Sequence, residues 1–165
     1  MPSSLRLNRG HTSLKDIFAK AKKLGAPKVL LLVTKKGNPS VLFLYSTSGE
    51  LLDFVMIAGV KLSTDIGVTR KELIELLKDA RTFCIRDSDC PSVSSFLTNL
   101  GYILGSECDV AAEIKLEDDI CVIRFIHKSS LILPPEIRVR VDKGDDSIYK
   151  WGISLISESV KGRSR

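Results

Sequence analysis

The chain has no long apolar segment. Its longest uninterrupted aliphatic run is Val29–Val33, far short of the roughly 20 residues that a membrane-spanning helix requires. No basic-then-apolar secretory pattern opens it, and neither end carries a lipidation motif. A cytoplasmic protein without a membrane partner is expected. Histidine is scarce, with His11 and His127 alone, and neither has a cysteine beside it in sequence. The four cysteines, Cys84, Cys90, Cys108 and Cys121, form no C-x-x-C pair and no regular framework. They read as reduced, mostly buried thiols, with disulfides the minority alternative. There is no G-x-S-x-G, no phosphate-binding P-loop, no H-E-x-x-H and no dinucleotide fingerprint. These absences predict a protein that is not an enzyme, with no cofactor, no metal and no small-molecule substrate.

What is present is a core and an uneven charge. The 165 residues are 44% hydrophobic, enough for one domain or two closely packed halves. The net charge is +5, from 25 Lys and Arg against 20 Asp and Glu. Residues 1–40 hold nine of those cations against Asp16 alone, a net +8, so residues 41–165 are net −3. A basic front on a slightly acidic body points to a polyanionic partner at one end, with nucleic acid the usual candidate.

Periodicity sets the elements. Leu14, Ile17, Phe18, Ala21 and Leu24 form one apolar stripe, predicting a helix over 12–24 capped by Thr12 or Ser13 and stopped by Gly25 and Pro27. The Val29–Val33 run reads as a strand buried on both faces. A turn at 34–40, strands at 41–45 and 51–57, and the turn between them give a meander. Thr69-x-x-Glu72 is a capping box opening a helix over 70–80. A strand at 82–86 leads to a helix with Pro91 at its first position and Gly101 at its end. Strand pairs are expected at 110–116 with 120–127, around Glu117-Asp118-Asp119, and at 136–142 with 147–156, around Lys143–Asp146. The alternation resembles a duplicated α/β unit.

Chemistry concentrates in the basic loops. The acidic pairs Asp118-Asp119 and Asp145-Asp146 could ligate a metal, but Asp's turn preference favours solvated turns. Lys15, Lys20, Lys22 and Lys23 form a helix face of the kind usually left to solvent. The loop Lys35-Lys36-Gly37-Asn38-Pro39 is more specific: two cations, a glycine permitting close backbone approach, and an Asn-Pro expected to fix the turn. A helix antiparallel to the strand that follows it would bring Arg9-Gly10 to the same end of the sheet as this loop. Two cationic loops and a helix N-terminus make a phosphate site. A second basic stripe, Arg138 and Arg140, alternates with Ile137, Val139 and Val141. Cross-strand salt bridges and polyanion contact both remain open for it.

Arg9-Gly10-x-Thr12-Ser13-Leu14-x-x-Ile17-Phe18, then Ala21, Gly25-Ala26, the apolar strand and Lys36-Gly37-Asn38-Pro39 together resemble the core signature of the Brix domain family, roughly R-G-x-x-S-L-x-x-L, G-A-x-x-V and R/K-x-G-N-P. The likeness covers residues 5–60 closely and 61–156 in layout, and the length is similar to single-domain archaeal members. In the family a basic strand and helix precede this stretch. This chain opens at Met1-Pro2-Ser3-Ser4, through a late start or a loss, and Thr82–Leu100 has the layout of that segment. The resemblance implies an α/β fold of two packed halves, each similar to the anticodon-binding domain of class II aminoacyl-tRNA synthetases, with mixed sheets and flanking helices. The halves would span about 1–68 and 69–156, with a polar basic tail at 157–165. It implies a non-catalytic ribosome-biogenesis factor that binds pre-rRNA or rRNA and assists its processing and subunit assembly. Recruitment of ribosomal proteins or other assembly factors is the alternative. On this reading Arg9, Lys35, Lys36 and Asn38 contact RNA, while Gly10, Gly37 and Pro39 shape the loops.

Overall fold

The computed structural model describes residues 5–8, 10, 12–141 and 146–161, by backbone alone at 64, 146, 147 and 156–161. The elements in chain order are α1 (Leu14–Lys23), β1 (Lys28–Lys35), β2 (Asn38–Ser46), β3 (Leu51–Lys61), α2 (Ser63–Ile66), α3 (Arg70–Leu77), β4 (Phe83–Ser88), α4 (Pro91–Asn99), β5 (Ile103–Leu104), β6 (Val110–Glu117), β7 (Ile120–His127), β8 (Ile132–Arg140) and α5 (Asp146–Lys161). The strands form one eight-stranded mixed sheet in the order β1-β2-β3-β8-β7-β6-β4-β5. Most neighbours are antiparallel, and β4 pairs in parallel with both β5 and β6. The chain is mixed α/β with flanking helices, as expected.

The helix starts follow their caps. Ser13 Oγ accepts the Asp16 N–H at 3.2 Å, which fixes the first turn of α1. Thr69 and Glu72 bond reciprocally at the start of α3, the predicted capping box. Pro91 occupies the first turn of α4.

Strand β3 holds the sheet together. Its first part, Leu51–Met56, pairs with β2, and its second part, Ile57–Lys61, pairs with β8 across an irregularity between Ile57 and Gly59. On one face, here the front, α1 and α5 cover β1–β3, burying Leu14, Phe18, Phe43, Tyr45 and Phe54 with Ile148 and Leu155. On the back, α4 packs Val93, Phe96 and Leu97 against Leu44, Val55, Ile114, Ile123 and Val139. α3 packs farther along the same face, on Val110 and Leu133.

Four expectations are corrected. Residues 147–156 belong to a helix, because Ile148, Gly152 and Leu155 recur at helical spacing and face the front core. That helix runs on through Lys161, into the stretch expected to be tail. The run in β1 is not buried on both faces. β1 is an edge strand whose Val29, Leu31 and Val33 line the front core while Leu30 and Leu32 stay 40% and 49% exposed. All four cysteines are in disulfides, Cys84–Cys108 and Cys90–Cys121. Parallel pairing of β4 with β6 and the seating of α4 over β7 bring together residues 24 and 31 positions apart, and no local spacing announces such pairs. The edge strand β5 was not anticipated, since two residues carry no periodicity.

Candidate nucleic-acid interface

The predicted loop is the tip of the β1–β2 hairpin. Lys35 pairs with Asn38, leaving Lys36 and Gly37 as a two-residue connection. Both have positive φ, 50° and 83°. This is the backbone that the right-handed twist of two short-linked strands demands. The turn is therefore made by Lys36-Gly37. Asn38 and Pro39 lie inside β2, with Pro39 opposite Thr34 at a register shift between Val33 and Thr34. A residue without an N–H is tolerated there, where the ladder is already irregular.

Lys35, Lys36, Gly37 and Asn38 are all exposed. Neither lysine has an acidic partner among the described residues. The tip thus presents two uncompensated cations on a short, constrained turn. A side chain at Gly37 would meet nothing within 4 Å, as at Gly10, whose φ is 49°. At both positions glycine answers to backbone conformation rather than to space. Arg9, expected to join the site, lies outside the described residues, as does His11.

The other cations of the basic front separate. Lys15, Lys20, Lys22 and Lys23 line the solvent side of α1. Lys28, at the opposite end of β1 from the tip, donates its ammonium to the Asn99 carbonyl of α4 and so serves packing.

The second basic stripe divides between the two readings left open for it. Glu136 is buried on the front face of β8 and receives Lys61 at 2.9 Å, Arg124 at 2.9 Å and Arg138 at 3.6 Å. Burial alone would push its carboxyl upward, but the hydrogen bonds and charges of Lys61 and Arg124 outweigh this and hold it below the ordinary value. Arg124 also reaches Glu117 at 2.8 Å. Its guanidinium is held charged still more firmly by Glu136 and then Glu117. Arg138 Nε is buried without a hydrogen bond, and Arg140 is exposed with no acidic partner among the described residues. Sequence reading missed Lys61 and Arg124 because only the strand register gathers them around Glu136.

Those residues weighed for catalysis or metal binding that are described take structural parts; Asp145 and the side chain of Asp146 lie outside the described residues. His127 is buried at the end of β7 with Nδ1 2.8 Å from the Ser129 hydroxyl, and the cysteines are consumed in disulfides. Asp118 and Asp119 form the β6–β7 turn with φ of 47° and 60°. Among the described residues no cluster of three or more His, Cys, Asp or Glu is placed to hold a metal. No helix among them is long and apolar enough to cross a membrane.

No family model matches the chain. Curated relatives do. It is 32% identical over 145 residues to a probable Brix domain-containing ribosomal biogenesis protein of Sulfurisphaera tokodaii, covering 85% of this chain and 78% of that protein. It is 29% identical over 129 residues to the protein of the same description from Saccharolobus solfataricus, covering 76% and 74%. Among solved structures, the crystal structure of a probable ribosomal biogenesis protein from Aeropyrum pernix superposes with a TM-score of 0.66 at 17% identity, covering 85% of this chain and 82% of that one. That of Mil, an archaeal Imp4-like protein, superposes with a TM-score of 0.57 at 20% identity, covering 81% and 78%. The fold is shared with both, and by sequence this chain belongs to the Brix domain-containing ribosomal biogenesis proteins.

Proposed function

We propose that this protein binds pre-rRNA or rRNA during ribosome assembly and acts there without catalysis, with the β1–β2 hairpin as a phosphate-contacting element. The carrying observation is the pair Lys35 and Lys36, exposed on a constrained turn and without an acidic partner among the described residues. The descriptions of the curated relatives support the setting. On this reading Arg9 and Asn38 add contacts, and the two halves, about 1–68 and 69–156, are each of anticodon-binding type. The protein works in the cytoplasm.

The test is filter binding of an rRNA fragment across a salt series. With about four phosphates neutralised, the log–log slope is expected near ~ −3 for single strands, and changing Lys35 and Lys36 together to Ala reduces its magnitude by about 1.4. Affinity that ignores salt, or no affinity for RNA, overturns the proposal.

A second reading has its own observation. β1 is an edge strand with Leu30 and Leu32 exposed, a surface suited to strand addition by a ribosomal protein or assembly partner. Capture of such a partner that survives nuclease treatment and is lost on changing Leu32 to Lys favours it.

A further inference from the structure

The front face of the sheet is only half covered. α1 and α5 pack over β1, β2 and the first part of β3, while α3 and α4 lie on the back. None of these four helices lies on the front of the second part of β3, β8, β7 and β6, and the short α2 packs beside β8 and the end of β3. That face carries charged side chains arranged around the buried Val122 and Ala111.

The register shows how these side chains are laid out. Gly59, Arg138, Val122 and Lys115 lie in one row across β3, β8, β7 and β6. Lys61, Glu136, Arg124 and Glu113 fill the next row, closed by Arg86 of β4. The hairpin tip stands level with the first row. β2 and β3 are last paired at Val41 and Met56. Asn38 and Gly59 each lie three residues beyond that pair; Ala58 is taken up in the irregularity of β3, so the tip stands within about one residue, roughly 3 Å, of that row.

The balance of charge on this face is uneven. Glu113 has Arg86, Glu117 has Arg124, and Glu136 has Lys61 and Arg124 and, at 3.6 Å, Arg138, while Asp118 and Asp119 of the β6–β7 turn have no cation among the described residues. Arg138 shares Glu136 only at the longer distance of 3.6 Å, and Arg140 is left over. Arg138 is beyond hydrogen-bond distance of Glu136. The stem of its side chain lies over Gly59, where a Cβ would come within 3.8 Å of Arg138 Cδ. Arg140 has no acidic partner among the described residues. Both arginines thus lie on the strand next to β3, Arg138 in the row nearest the hairpin tip and Arg140 two residues further along.

We propose that Arg138 and Arg140 extend the RNA-binding surface, so that a single-stranded RNA runs from the hairpin tip over β3 onto the open front face of β8. The inference rests on the RNA-binding reading above and deepens it. The two guanidiniums select the occupant: Arg140 has no acidic partner and Arg138 makes no hydrogen bond among the described residues, so a phosphate backbone finds two charged donors there. Gly59 leaves the path between the two cationic sites without a side chain.

The test uses the full chain and a single-stranded rRNA fragment in a salt series, with circular dichroism confirming the fold of each variant. Changing Arg138 and Arg140 together to Ala is expected to reduce the magnitude of the salt slope by about 1.4 and to add to the effect of the Lys35/Lys36 pair. Arg140→Glu, which breaks no ion pair, is expected to weaken binding at least tenfold at low salt and keeps the test valid if Arg138 proves necessary for folding. Wild-type binding that responds to the lysine pair but not to these arginine variants overturns this inference alone. Wild-type protein without RNA affinity overturns both readings. Arginine variants that lose binding to polyglutamate while retaining RNA reassign the face to an acidic protein and also overturn the inference.

Discussion

Gly152 of α5 lies so close to Phe43 of β2 that a Cβ there would come within 2.6 Å of the ring, and within 3.0 Å of Leu51. The Tyr45 hydroxyl donates to the Gly152 carbonyl at 2.8 Å in the same place. Trp151 meets the Phe43 ring edge-on, with centroids 5.6 Å apart. A helix interior ordinarily favours alanine over glycine by about 1 kcal/mol. Here overpacking is larger, about 1–3 kcal/mol. Gly152→Ala is therefore expected to lower the melting temperature although it raises helix propensity. Tyr45→Phe should cost about 1 kcal/mol by removing this second hydrogen bond to the helical carbonyl. Thermal unfolding followed by circular dichroism measures both, and an unchanged or higher Tm for Gly152→Ala contradicts this packing.

The two disulfides cross-link one region of the fold. Cys84–Cys108 ties β4 to the segment before β6, and Cys90–Cys121 ties the start of α4 to β7. They close segments with sequence separations of 24 and 31 residues, each of which stabilises the fold by about 3–4 kcal/mol through the entropy of the unfolded chain. Reductant, which opens both, is expected to lower the Tm by roughly 15–25 °C, and Cys90→Ser with Cys121→Ser by about half as much without reductant. Intact-mass analysis after alkylation under denaturing, non-reducing conditions should find no free thiol. Four alkylated cysteines would show instead the reduced state expected from composition.

Acid should weaken the fold through two carboxylates. Asp109 is held well below the ordinary range by Lys128, then by the backbone N–H groups of Arg81 and Thr82 and the Thr82 hydroxyl. Glu136 is lowered too, burial opposing and the Lys61 and Arg124 contacts prevailing. A carboxylate with a depressed folded pKa binds fewer protons folded than unfolded. Its contribution is complete above the unfolded values of 3.8 for Asp and 4.5 for Glu and is lost as pH falls below them. Denaturant midpoints should be level above about pH 5.5 and fall steeply below pH 4.5. Glu136→Gln should flatten that limb and destabilise at neutral pH by about 1–3 kcal/mol, because three cations lose their shared partner. An unchanged acid limb in both Asp109→Asn and Glu136→Gln would remove these groups as its cause.

Local signals made much of the fold legible. Ser13 and the apolar stripe of α1, the Thr69–Glu72 box and the Asp118-Asp119 turn each act within a few residues, and each appears where the sequence places it. The exposed cations of the hairpin were equally readable, because Lys35 and Lys36 flank a glycine turn with no acid nearby in sequence. What escaped depends on distant residues. α5 was read as a strand because alternation around Tyr149 and Trp151 competes with a helical period, and only Phe43 and Leu51 decide which face is buried. β1 looked central because all five residues of its run are apolar, yet among the described residues no strand pairs with its outer edge. That Arg138 reaches Glu136 only at 3.6 Å is a property of register, since Lys61 and Arg124 approach the same carboxylate at 2.9 Å.

Lys36 allows the charge of the hairpin to be separated from its stability. Its φ of 50° places a non-glycine residue in the left-handed region, which costs an ordinary L residue about 1–2 kcal/mol. Asparagine tolerates that region better, and Asn-Gly is a strongly favoured pair for a two-residue hairpin turn. Lys36→Asn is therefore expected to stabilise the fold by roughly 0.5–1 kcal/mol, raising the Tm by a few degrees or less. The same change removes one of the two uncompensated cations of the tip, so RNA affinity should fall and the magnitude of the salt slope should drop by about 0.7. A fold made more stable that binds RNA less well assigns the lysine to recognition rather than to structure. A variant more stable and unchanged in RNA affinity and salt slope removes Lys36 from the interface.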